Sequence, residues 1–547
     1  MPSLLPYSQT LGKRKAKHLL RRACFNFSPE KINEFAALTP LQAVSLLGAS
    51  SVKKAPEPID PRASTDEEMH WTSSTKHPTK FSAQGSKSAY ICAWWWYNAY
   101  NDISLEHKLT MFLHTCFTIS KDEGTSHSTY FFDYLQLLQF YAYGDIRELA
   151  NKITRDNAMT IYLDNNTNTK KKPNENYARE FLELFTILKG PQIGEGNYTN
   201  FTEQDVVEAA KVFSGYKNKM DRSLRDPDTG IPRGYISEGL HDQKDKTFSS
   251  AFGGVTIKGG TDKESIVQEH RDFVEMIFNQ QATAISYVRK LYRFFVKSEW
   301  NSQVEVDIIE PLAEDLRNNG YQLLPVLKRL LASEHFYDED DSDNTNNIIG
   351  GIVKHPLQLW TEIISAMSVS LVEPNVPENY EEFYYFFFRN FAHHAALPQA
   401  GYYMFAPDSV AGYPPDYQGP DYDRHWFVSP TIVARYKFIK CFINGRNMFV
   451  NRGKFKTVLN SNKYINEVVS NPYDAATVVR EITDYLYPES IDEDRINHFK
   501  TFLTDGAKDS YWTQAWSDYK AGDGSTSRLR LNEFLIAVTN AAEFQLG

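Results

Sequence analysis

The chain is poor in cysteine, with four in 547 residues, and Cys24, Cys92, Cys116 and Cys441 stand far apart with no CxxC spacing. That pattern excludes a disulfide framework and a sequence-local zinc knuckle, and a reducing compartment is its simplest reading. No apolar run approaches the roughly 18 residues that a membrane span needs. A basic block is also missing, and the net charge is −10, which argues against a nucleic-acid partner held through phosphate contacts. The first 23 residues, MPSLLPYSQTLGKRKAKHLLRRA, carry their basic cluster after a short broken apolar start. A secretory signal has the reverse order, so the expected location is cytoplasmic. The chain has no G-x-S-x-G elbow, no H-E-x-x-H helix and no glycine-rich phosphate loop, so the commonest hydrolase and nucleotide classes lack a positive signal.

What is present is ordinary globular composition, 41% hydrophobic and 23% charged, with a heavy load of 32 Tyr and 35 Phe. Helical spacing recurs along the chain, and alternating strand pairs of any length do not. The expected fold is mainly α, a multi-helix array with long irregular insertions and at most short β-hairpins. Three stretches are distinguished: a helical part over 1–220, an irregular loop and hairpin segment over 221–280, and a helical part over 281–547 with a long loop at 373–428. Together they form one unit. The triplet Trp94, Trp95 and Trp96 cannot face one way on a helix, so that helix is expected to be buried on several sides. The run Asp338 to Asn347, DEDDSDNTNN, reads as a solvated acidic loop.

The stretch Leu163 to Gly190, LDNNTNTKKKPNENYAREFLELFTILKG, joins an Asx-rich loop to a helix expected over 174–188. Pro173 suits a first helical turn, and Gly190-Pro191 ends the helix. On that helix Glu175, Arg179 and Glu183 share one face at four-residue spacing, and Glu180 lies three before Glu183. The loop also admits a calcium reading. Asp164, Asn166, Asn168 and Glu175 fall at positions 1, 3, 5 and 12 of the calcium-loop pattern, although Thr169 occupies the glycine position and Lys170 to Lys172 add positive charge. The alternative is a loop of Asx turns that caps the helix.

Several motifs, taken in order, carry a resemblance to a family. They are His18-Leu-Leu-Arg-Arg-Ala23, Leu109 to Ser120 (LTMFLHTCFTIS), LDNNTN…PNENYAREFLELFT, and Phe201 to Tyr216 (FTEQDVVEAAKVFSGY). Further on come His241-Asp242…Lys246-Thr-Phe248, Val353-Lys-His-Pro356, and Leu397-Pro-Gln-Ala-Gly401 with Phe405-Ala-Pro407 and Val410-Ala-Gly412-Tyr-Pro414. This series resembles the bacterial family called domain of unknown function 1800 along most of the chain. One departure is Cys116, which stands where the family has the second His of an H-x-H pair beginning at His114. The resemblance implies a protein partner, because genes of the family typically neighbour those of a sulfatase-like family. Location in the cell envelope, or export with that partner, is the corresponding alternative to the cytoplasm.

Chemistry would require groups that converge from distant parts of the chain. The candidate constellation is His114, Arg179, Glu180, Glu183, His241, Asp242 and Lys246. Carboxylates near a His can hold a divalent metal or divide acid and base roles, whereas an Arg between Glu residues at i−4 and i+4 is equally an ion-pair ladder. Three readings follow. The first is a non-catalytic binding or accessory protein acting with the sulfatase-like partner. The second is a metal-dependent hydrolase, which expects His114, Glu183 and His241 within a few ångströms of one another. The third is a calcium-stabilised structural protein that uses the Asp164–Glu175 loop.

Overall fold

The computed structural model describes residues 1–49, 57–74, 77–123, 125–340, 348–450 and 453–547. Most of them are helical, and one continuous hydrophobic core runs from Tyr7 to Phe544. The N-terminal helix Gly12–Ala23 places Ala16, Leu19, Leu20 and Ala23 in that core and leads to a second helix, Pro29–Ala36. Ser28 caps the second helix by accepting from Lys31 N at 3.3 Å. The tryptophan helix Gln84–Asn101 is buried on several sides as expected: Trp95 and Trp96 are almost wholly enclosed, and the Trp96 indole N–H donates to Thr361 Oγ1 at 2.9 Å. No helix among the described residues is long and apolar enough to cross a membrane.

Strands among the described residues form three short antiparallel pairs. Gln192–Gly194 pairs with Asn197–Tyr198, Tyr216–Lys217 with Tyr235–Ile236, and Lys246–Thr247 with Thr256–Ile257. The last is a hairpin inside 221–280, where a loop and hairpin segment is expected, and it presents Lys246 to the buried side.

Two elements differ from the sequence reading, and both are π-helical. The signature helix is α-helical only over Asn176–Glu180 and widens into a π-turn over Phe181–Phe185. Within 373–428, expected to be irregular, Glu381–Ala396 forms a 16-residue π-helix. The two segments share a sequence pattern. Tyr177, Phe181 and Phe185 repeat every four residues, as do Phe383, Phe387, Phe391 and Ala395, with Tyr384, Phe388, Ala392 and Ala396 beside them. An α-helix turns ~400° in four residues, so such a row drifts ~40° per step away from a fixed partner. The wider turn shifts the row the other way, and in both segments the buried rings collect on one side. The rings then pack on Phe213 in the first case (Tyr177 4.8 Å, Phe181 5.1 Å) and on Trp360, Phe442 and Phe455 in the second.

The acidic run from Asp338 is described only to Asp340, and 341–347 lie outside the described residues. Asp338 accepts from Ile348 N and Ile349 N at 2.8 and 3.0 Å, and Asp340 pairs with His335 at 2.7 Å.

Candidate functional site

The residues of the expected constellation settle in three separate places. His114, on the helix Glu106–Cys116, is buried with its Nε2 3.1 Å from Ile119 O, among the rings of Phe405, Tyr134 and Tyr413. Burial holds its pKa down to about 4, so the neutral ring is a core side chain at ordinary pH.

Arg179 lies in a half-exposed ladder. Its guanidinium forks onto Glu203 at 2.6 and 2.8 Å and reaches Glu175 at 3.3 Å and Glu183 at 3.7 Å. Lys189 takes the other Glu183 oxygen at 2.9 Å. Burial, then the neighbouring Glu183, pushes Glu180 up to about 6.

His241 and Lys246 meet a carboxylate that the sequence reading did not single out. His241 Nε2 is 2.9 Å from Glu269 Oε2, and Lys246 Nζ is 2.7 Å from Glu269 Oε1. Gly260 N adds a third contact to this carboxylate, 2.6 Å from Oε2. The other His241 nitrogen faces Ser214 O at 2.8 Å, and all three side chains are fully enclosed. Asp242 turns away and accepts from Lys244 N at 2.9 Å, closing its own turn.

The Asp164–Glu175 loop is held by its own amides. Asn168, fully buried, accepts from Asn174 N at 3.1 Å and donates to Ala210 O at 2.8 Å. Asn166 offers its main-chain oxygen to Lys217, Asp164 sits at φ +56°, and Glu175 belongs to the Arg179 ladder. Among the described residues no group of three or more His, Cys, Asp or Glu side chains is placed to hold a metal ion.

A different set of motif residues does converge, around a cavity of about 100 Å³. The helix Gly12–Ala23 brings Arg21 and Arg22 in its last turn, and Glu106–Cys116 brings Lys108 and Met111. Arg293 comes from the helix Gln281–Phe295, while Lys354, His355 and Gln358 come from the entry and first turn of Pro356–Ala366. Asp416, from the short helix Pro414–Tyr417, and Asp423 and Trp426, from the turn Tyr422–Trp426, close the far wall. The HLLRRA and VKHP motifs, 330 residues apart, thus share one wall, with the two residues that follow Val-Ala-Gly-Tyr-Pro414 opposite them.

The lining has an excess of positive charge. Arg21 and Lys354 share Glu362 at 2.9 and 3.0 Å, with all three enclosed, and Lys354 also donates to Phe544 O at 2.7 Å. Arg22 has no Asp or Glu side chain within ion-pair distance among the described residues. Its Nη2 donates to the main-chain oxygens of Gly547 and Ile348 at 2.8 and 3.2 Å, and its Nε, although buried, finds no protein acceptor. Lys108 donates to Gln358 Oε1 at 2.8 Å, and the Gln358 amide nitrogen has no acceptor. Burial, with Arg22 adding to it, depresses Lys108 to about 7, and burial takes Arg22 down to about 9. Asp416, near Arg293, is pushed up to about 7 by burial.

Lys108 is set apart among the buried lysines. Lys87, Lys121, Lys152, Lys246 and Lys354 each touch a carboxylate, to Asp60, Asp122, Asp226, Glu269 and Glu362 respectively. Lys17 is held by two main-chain oxygens, of Asp484 and Tyr487. Lys108 has one amide oxygen, and its ammonium lies 4.2 Å from the centroid of the Phe25 ring. Sequence reasoning passed over this cavity because Arg21, Arg22 and Lys354 entered it only as members of motifs 330 residues apart, and spacing says nothing of their meeting. The available signal was that each lies inside a motif next to core positions.

The chain matches the family model described as "Protein of unknown function (DUF1800)" over residues 18–546. No curated protein and no solved structure matches it. With nearly its whole length covered by that model, the chain belongs to the DUF1800 family.

Proposed function

We propose that this protein is a non-catalytic binding and accessory protein whose working site is the cavity between Arg22, Lys108, Gln358 and Asp416, and that it acts beside a sulfatase-like protein partner. One observation carries the reading: motif residues from opposite ends of the chain meet at this cavity, and among them Lys108 is a buried lysine with an amide oxygen and no carboxylate as its acceptor. A concave site with apolar walls and a few convergent buried polar groups is the usual form of a small-molecule pocket. The His241–Lys246–Glu269 cluster, by contrast, is closed on itself, which suits a role in fixing the loop 241–260 onto the helix Lys263–Phe278.

Native mass spectrometry of the gently purified protein tests this. A bound small molecule that leaves on denaturation, and that is missing from a cavity-filling Val353→Phe variant with unchanged circular dichroism, is the expected result. A bare chain that also gains no mass from a small-molecule extract of its host would overturn it. The partner reading is tested by mixing the purified chain with the neighbouring sulfatase-like protein, where co-elution at the summed mass is expected. Fractionation of native cells then shows whether the pair resides in the envelope or the cytosol.

A further inference from the structure

The stretch between Asp423 and Glu467 contains nine Lys or Arg and no Asp or Glu, in a chain that has 69 acidic against 59 basic residues. The nine are spread along the stretch and form no block in sequence, but the fold gathers several of them on one surface. We propose that this surface binds anionic lipid bilayers and attaches the protein to a membrane face without spanning it.

Local structure builds the surface. After the helix Phe438–Asn444 the chain turns back on itself, with Arg446 and Lys454 as antiparallel bridge partners. Asn447 N donates to Gly453 O and Phe455 N to Gly445 O, both at 3.1 Å, so the two arms are held in register. Along each arm exposure alternates, as in a strand with one face packed. Asn447 and Phe449 turn inward on the first arm, Phe455 and Thr457 on the second. Arg446, Met448 and Val450 face water on the first, Lys454, Lys456 and Val458 on the second. Bridge partners point to the same side, so the outward face of the loop consists of three cations and three aliphatic side chains. The preceding helix extends it. Lys437 lies over the Phe449 ring at 5.5 Å, and Asn444, one turn beyond Lys440, reaches Met448 Sδ at 3.8 Å.

Two features decide the partner. The first is uncompensated charge. Among the described residues of this stretch, Lys463 alone has an acidic side chain within ion-pair distance, Glu467 at 3.8 Å. Glu382 touches the loop, but through the main-chain N–H of Lys456 and not its ammonium. The basic cluster near the start of the chain is different, with Arg14 paired to Glu489, Lys15 to Glu339 and Arg21 to Glu362. A protein of net charge −10 is repelled by an anionic surface as a whole, so a face of unpaired cations also sets the orientation of its approach.

The second feature is the aliphatic component. Met448, Val450 and Val458 are 44%, 46% and 38% exposed. Aliphatic side chains among Lys and Arg suit the boundary between headgroups and acyl chains, where apolar groups enter and cations meet lipid phosphates. Single-stranded nucleic acid is typically held by stacking on exposed rings. The rings of this loop pack inward instead, Phe449 on Phe438 at 6.2 Å and Phe455 on Phe391 at 4.5 Å.

Flotation of the full-length protein tests the proposal, with vesicles of phosphatidylglycerol and phosphatidylcholine compared with phosphatidylcholine alone. Binding to the anionic vesicles only is expected, lost in 1 M salt, which cuts the screening length to about 3 Å. Each basic side chain near an anionic surface strengthens attachment roughly fivefold. The triple variant Arg446→Gln, Lys454→Gln, Lys456→Gln should therefore bind at least twentyfold more weakly. All three side chains are exposed and unpaired, so the variant keeps the fold, which circular dichroism checks. Met448→Cys takes a polarity-sensitive dye at one defined place, because the four native cysteines are buried. Its emission should shift to the blue on anionic vesicles, while that of Leu41→Cys, on the helix Pro40–Leu47, should not. No binding to anionic vesicles in low salt would overturn the proposal, as would equal binding by the triple variant. Binding without a shift at Met448→Cys would overturn it by placing the contact elsewhere. Tighter binding to duplex DNA or to polyglutamate than to the vesicles would overturn it in favour of a nucleic acid or an acidic protein.

Discussion

Glu269 accepts from His241 Nε2 at 2.9 Å, and neither side chain reaches solvent. Lys246 takes the second oxygen at 2.7 Å, so one carboxylate anchors two basic groups of the loop 241–260 to the helix Lys263–Phe278. Removing that carboxylate leaves buried basic groups without a counter-ion, a change that typically costs about 3–5 kcal/mol. Glu269→Ala is therefore expected to lower the free energy of unfolding by about that much in a denaturant titration, with Glu269→Gln losing less because it keeps a carbonyl acceptor. Unfolding curves that superimpose on the wild type would show that the cluster is not structural.

The loop over 164–175 is predicted to hold without a cation. Asn168 supplies from within the chain what a metal would supply from outside, closing the loop on Asn174 and Ala210. Asn168→Ala leaves a buried N–H and a carbonyl unpaired and should cost about 1–3 kcal/mol, whereas Asp164→Ala, on the exposed rim, should cost less than 1 kcal/mol or so. Melting in added calcium and in chelator should coincide, and elemental analysis of unchelated protein should show no stoichiometric transition metal. A calcium-dependent rise in melting temperature that disappears in Asp164→Ala would reverse this reading.

The helical class, the buried tryptophan helix and the hairpin at 246–257 were legible because each rests on local signals: period, caps and turn residues. The π-helices were not, because the sequence reading offered each segment only the periods of 3.6 and 2. Within 373–428 the Pro, Gly and Tyr residues spread along the stretch obscured the four-residue row Phe383, Phe387, Phe391, Ala395, which is itself helical spacing. At the candidate sites the limit was different. Glu203 and Glu269 stand on other elements than the partners they neutralise, and sequence spacing carries no information about such pairs. Lys108 and Gln358 meet across 250 positions for the same reason.

The period-four account of the long π-helix makes its own prediction. Phe391 is wholly buried, stacked on Phe455 at 4.5 Å and edge-on to Phe442 at 5.8 Å. Phe391→Ala should cost about 3–5 kcal/mol, as large aromatic truncations in a packed core do. Deleting Tyr385, which is outside the period-four rows, should instead relax the segment toward α-helix and leave the remaining rows out of register with Trp360 and Phe455. A loss of stability much greater than for Tyr385→Ala is expected, measured by thermal unfolding. Equal effects of deletion and substitution would remove the register argument.

The pH dependence of stability separates Lys108 from its neighbour Lys354. Burial depresses both, to about 7 from 10.5 in each case. In the window between these values the unfolded chain holds a proton on each lysine that the folded chain gives up, so stability rises with pH there; below the folded value the burial cost is fully present. The two substitutions nevertheless act in opposite directions. Lys354 holds Glu362 at 3.0 Å, and Lys354→Met leaves that enclosed carboxylate with Arg21 alone, so stability falls at pH 7. Lys108 has no carboxylate to strand, only the Gln358 amide. Lys108→Met therefore removes a buried cation at no ionic cost and should raise stability at pH 7 by on the order of 1–2 kcal/mol. It should also flatten the rise between pH 7 and 10. Denaturant midpoints of the wild type and both variants at pH 7, 8.5 and 10 check this. A Lys108→Met variant less stable than wild type at pH 7 would mean that the ammonium contributes to the fold.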